Sequence, residues 1–66
     1  MSEYFLFTVY LIYANFRNVV DFTNYDEAWE FFERQRPSKG IKRIDLIGCS
    51  AIYGVVTIAS KRYSEN

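Results

Sequence analysis

Residues 3–13 read Glu-Tyr-Phe-Leu-Phe-Thr-Val-Tyr-Leu-Ile-Tyr, and no charge interrupts residues 4–16. A membrane-spanning helix needs about 20 apolar residues, so the run is too short for one. Its β-branched and aromatic side chains suit a pleated strand instead. Phe5, Phe7, Val9, Leu11 and Tyr13 would line one face; Tyr4, Leu6, Thr8, Tyr10 and Ile12 would line the other. A strand apolar on both sides belongs at the centre of a sheet.

The rest of the chain is read outward from this strand. Ala14-Asn15 supplies a turn, with Asn18 a second polar candidate, and residues 17–23 a return strand. That strand alternates Val20 and Phe22 with Asp21 and Thr23, and its charges suit a sheet edge. Asn24 followed by Glu27 resembles a capping box. Tyr25, Ala28, Trp29 and Phe32 then recur on one helical stripe, widened by Phe31. The spacing predicts a helix over 25–36, stopped by Pro37, with Trp29 anchored in the core. Ser38-Lys39-Gly40 is a loop, 41–48 a third strand, Gly48-Cys49-Ser50 a turn, 51–60 a fourth strand, and 61–66 a polar, frayed tail.

The expectation is a single α+β domain, 1–66, of order ββαββ. Strands one and four are the most apolar and are expected at the centre, with the charged strands two and three at the edges. That gives a spatial order of 2-1-4-3, with strands one and four parallel at the centre and the helix on one face. In element order alone, over residues 3–60, this layout resembles the β-grasp arrangement of ubiquitin-like and immunoglobulin-binding domains. The helix-side core would comprise Phe5, Phe7, Val9, Leu11, Val20, Phe22, Ile44, Leu46, Ile52, Val56 and Ile58.

At 66 residues and 7.8 kDa, folding must draw on unusually dense apolar burial. Half of the residues are hydrophobic and 20% aromatic, which excludes intrinsic disorder. There is no histidine and one cysteine, Cys49. That removes the commonest general base and metal ligand, an intrachain disulfide and a zinc set. No enzyme activity, cofactor or metal is therefore expected. The acidic pairs Asp26/Glu30 and Glu27/Glu30 read as a solvated helix face. Met1-Ser2-Glu3 has no basic leader character, and the single cysteine suits a reducing cytoplasm. Net charge is zero, but residues 1–33 carry −5 and residues 34–66 carry +5, as acids at a helix start and bases at its end would produce.

One helix covers one side of a sheet. The outer side would then carry Tyr4, Leu6, Thr8, Tyr10, Ile12, Tyr53, Val55 and Thr57, too apolar to stay wet. The expected function is protein binding through this aromatic face, as a homodimer or with another protein. Size and make-up suit a small inhibitor or modulator of the kind phage and other mobile elements encode, by analogy of class. Two alternatives use the same face. One is a single-stranded nucleic-acid binder, adding Arg34, Arg36, Lys39, Lys42 and Arg43; the pI of 6.1 weighs against it. The other is a homo-oligomeric structural protein.

Overall fold

The computed structural model describes residues 3–64. Its elements are β1 (Tyr4–Tyr13), β2 (Arg17–Phe22), α1 (Tyr25–Arg34), β3 (Ile41–Ser50) and β4 (Gly54–Arg62). They form one four-stranded sheet of order β2-β1-β3-β4 in which every neighbouring pair is antiparallel. This corrects the expected 2-1-4-3 order with parallel central strands, and with it the β-grasp likeness. β3, not β4, stands beside β1.

Three physical reasons favour β3 at the centre. An antiparallel pair is slightly more stable per residue than a parallel one. The charges that argued for an edge are satisfied within the sheet: Arg43 Nε donates to Asp45 Oδ2 at 3.0 Å, and Ser60 Oγ donates to Asp45 Oδ1 at 2.7 Å. Gly48 lies between Tyr4 of β1 and Ile58 of β4. A Cβ there would stand 2.8 Å from Tyr4 Cδ1 and 2.8 Å from Ile58 Cδ1. Glycine is the residue that lets side chains from both neighbouring strands close over β3.

Gly48 is therefore a strand residue and not the start of a turn. The turn falls later, at residues 51–53, where Ser50 Oγ accepts from the backbone N–H groups of Ile52 and Tyr53. Gly54 follows with φ +75°, a left-handed conformation that costs other L-residues energy. β4 is displaced accordingly to 54–62, and its end is not frayed: Tyr63 N–H donates to the Lys42 carbonyl. Glu65 and Asn66 of the expected tail lie outside the described residues, as do Met1 and Ser2.

The core lies between α1 and the sheet: Phe7, Val9, Leu11, Ala28, Phe32, Ile44 and Leu46. Asn24 caps the helix, its side chain accepting from Glu27 N–H. Ala28 and Phe32 are its buried residues, so the stripe is rotated from the expected one. Trp29 lies at the flank, 37% exposed, its ring beside those of Tyr25 and Phe32. Ala28, fully buried, takes the central place beneath the helix, and the indole next to it falls at the edge. Phe5 and Ile52, expected in the core, are exposed instead. Phe5 falls at the register shift between Tyr4 and Leu6, and Ile52 lies in the turn.

The helix ends at Arg34, two residues early, with Gln35 extended. Lys61 holds that end. Its ammonium donates to the carbonyls of Phe32 (2.8 Å), Gln35 (3.1 Å) and Glu33 (3.3 Å) and sits 4.5 Å from the Phe32 ring centroid. The last carbonyls of a helix lack partners in a following turn and carry partial negative charge; Gln35 N–H donates to that of Phe32 and Arg36 to that of Glu33, and a cation from β4 serves both and that of Gln35.

Candidate binding face

Strand pairing sets the side of the sheet that lacks a helix in four cross-strand rows. The first holds Leu6, Cys49 and Val55. The second holds Asp21, Thr8, Ile47 and Thr57. The third holds Val19, Tyr10, Asp45 and Ser60, and the fourth Arg17, Ile12, Arg43 and Arg62. The face thus grades from apolar at one end to basic at the other, over about 20 Å for the six residue steps from Cys49 to Arg43.

Of the residues expected on this face, Leu6, Thr8, Tyr10, Ile12, Val55 and Thr57 lie on it. Tyr4 does not. The register shift beside it turns the ring onto the helix side, 5.8 Å from the ring of Phe7, where it packs against the core. Tyr53 lies in the turn, 58% exposed. The middle of the face needs no cover from outside. Thr8 is 6% exposed and donates to Asp21 Oδ1 at 2.8 Å, and Ile47 is equally buried. Arg17 stacks on the Tyr10 ring at 5.5 Å.

The apolar end is different. A 10-residue helix is about 15 Å long, whereas a 10-residue strand spans about 33 Å. β2 stops at Phe22, opposite Phe7, and Tyr25 at the helix start touches the Phe7 ring. Beyond that point β1, β3 and β4 continue as a three-stranded arm, which gives the molecule its 41 × 20 × 19 Å extents. At the arm's tip Phe5, Ile52, Tyr53 and Val55 are 64, 69, 58 and 75% exposed. Tyr53 and Val55 were legible as surface residues; Phe5 and Ile52 were not, because the turn and the β1 irregularity were unmarked.

The basic run 34–43 does not form one surface with this face. Arg34 pairs with Glu30 along the helix, and Arg36 donates to the Glu33 carbonyl. Lys39 is in the exposed loop, and Lys42 lies over the Tyr63 ring. Arg43 alone reaches the outer face, where Arg17 and Arg62 join it. Cys49 is half-buried within β3. Among the described residues no cluster of three Cys, Asp or Glu could hold a metal ion, and no helix is long and apolar enough to cross a membrane. The acidic helix residues Asp26, Glu27 and Glu30 line an open depression with Phe22, Phe31 and Arg34. Comparison with family models, curated proteins and solved structures finds no match to this chain.

Proposed function

We propose that this chain is a non-enzymatic protein-binding module that holds another protein through the apolar tip and the outer face behind it. The exposure of Phe5, Ile52, Tyr53 and Val55 on one projecting arm carries the reading. Large apolar groups gathered at one exposed place favour a protein contact, and Tyr and Phe are favoured in the centres of interfaces. A binder without chemistry of its own acts by occupying a surface, which makes it an inhibitor or modulator of what it covers.

The grading of the face favours a different protein over a second copy. In an aligned two-fold stacking of outer faces, either the arginine row meets itself or it covers the apolar tip. The first repels and the second strands charge on apolar surface. An orthogonal stacking would join only the self-filled middles and leave both tips bare.

The test places a photo-crosslinking residue at Val55 in one variant and at Glu30, on the helix, in another. Irradiation in source-cell lysate should yield a defined protein adduct from Val55 and none from Glu30. Equal adducts from both positions, or none from either, would refute the reading; an adduct of the chain with itself would replace it with a homodimer.

A further inference from the structure

We infer that the row Arg17, Arg43 and Arg62 is an anion-recognition site that receives the carboxylates of an acidic segment on the partner protein. The assignment rests on the protein-binding reading and adds the partner's chemistry.

Three strands each contribute one arginine to a single cross-strand row, with Ile12 between Arg17 and Arg43. Arg43 and Arg62 are directly opposed across the β3–β4 ladder. Like charges in that position destabilise a sheet. Within the fold they receive little relief. Asp45 supplies one carboxylate, held by Arg43 Nε and shared with Ser60. Among the described residues neither Arg17 nor Arg62 pairs with a carboxylate. The other two arginines differ, Arg34 being tied to Glu30 and Arg36 to the Glu33 carbonyl. Arg17 and Arg62 are thus left for an outside anion, with the free edge of the Arg43 guanidinium between them, and guanidinium forks suit carboxylates two hydrogen bonds at a time.

The spacing fits a segment in the polyproline II conformation crossing the strands. Neighbouring strands lie about 4.8 Å apart, so Arg17 and Arg43 stand about 10 Å from each other, near the roughly 9.3 Å that separates residues i and i+3 on one side of such a segment. Tyr10 beneath Arg17 holds that guanidinium on the face. A polypeptide fits better than a nucleic acid strand. The row is one residue deep, and the surface leading away from it is apolar.

The full chain, labelled with nitrogen-15, is titrated with three probes. They are the blocked peptide acetyl-Asp-Leu-Leu-Asp-Leu-Leu-Asp-amide, its counterpart with Asn for Asp, and a short single-stranded DNA of mixed sequence. The acidic peptide alone should move the Nε–H resonances of Arg17, Arg43 and Arg62. The Arg17→Gln/Arg62→Gln variant, which spares the Arg43–Asp45 pair, should weaken it about tenfold. Equal shifts with the Asn peptide, no shifts at millimolar peptide, or displacement of the acidic peptide by DNA would each overturn the assignment. If the peptide fails while Val55 still captures a protein, the arginine site falls and the protein-binding reading stands. If the peptide binds while Val55 captures nothing, the reverse holds.

Discussion

Replacing Lys61 with Met removes one ammonium while keeping a stem of similar length against Phe32. In the native chain that ammonium serves three carbonyls at the helix end, at 2.8 to 3.3 Å, and lies 3.7 Å from the Glu33 carboxylate. The side chain is 22% exposed, so solvent and salt screen it only in part. A hydrogen bond to a charged group contributes about 1.5–3 kcal/mol, and a cation at a helix C-terminus about 0.3–1, up to about 2 when partly buried. These contributions overlap, because one ammonium makes them all and water would replace part of each. The net loss on Lys61→Met is about 2 kcal/mol. For a domain of this size each kcal/mol moves Tm by about 4–8 °C, so the variant should melt about 8–16 °C lower. Urea unfolding followed by Trp29 fluorescence and far-ultraviolet circular dichroism measures it, with an unchanged slope confirming the same two states. Lys61→Arg should recover part of the loss. A cost below about 0.5 kcal/mol, the range of ordinary surface changes, would show that the helix end is served by water and that the β4 contact is incidental.

Three further sets of substitutions probe the features that set the fold. Gly48→Ala should cost about 1–3 kcal/mol by overpacking, and Ile58→Val, which deletes one of the two clashing atoms, should recover part of it; equal stability of Gly48→Ala and wild type in urea would remove Gly48 as the reason β3 is central. Phe32→Ala should cost about 3–5 kcal/mol, whereas Trp29→Ala should cost about half as much or less because its ring is buried on one side only; equal calorimetric losses would return Trp29 to the core. At Gly54, Asn should be tolerated and Ala should cost about 1–2 kcal/mol, since Asn visits the left-handed region more readily; an Ala variant as stable as wild type would contradict the positive φ.

Local rules carried the reading of this sequence furthest. Asn24 with Glu27 fixed the helix start, and the two-sided apolar run placed β1 inside the sheet, because capping and strand composition depend on neighbouring residues. Strand order depends on long-range pairing, and there the charge of β3 misled. Arg43 and Asp45 looked like edge residues, yet they neutralise one another with help from Ser60 of β4, a partner invisible until the strands are paired. Gly48 misled in the same way. In isolation glycine marks a turn; between Tyr4 and Ile58 it marks a place where two side chains need the volume of a third. Trp29 was misplaced because a helix stripe wide enough for two rows does not say which row approaches the sheet, and the small Ala28 decided it.

The candidate face was half legible for a related reason. Alternation assigned Leu6, Thr8, Tyr10, Ile12, Val55 and Thr57 to one side, and pairing keeps them there. The same alternation puts Ala59 on that side too, and there it fails, because an extra residue enters β4: Leu46 faces Ala59 and Ile47 faces Thr57, with Ile58 unpaired between them. Ile58 and Ala59 consequently both reach the core. A one-residue shift reverses the side of every residue that follows. Strict alternation from Val55 and Thr57 would have put Lys61 on the outer face and Arg62 on the helix side. The bulge exchanges them, sending Lys61 to the helix carbonyls and Arg62 to the row with Arg17 and Arg43. One unpaired isoleucine therefore links the helix-end contact to the proposed recognition row. The same irregularity that closes the helix end also charges the far end of the candidate face, and neither arrangement could change register without losing the other.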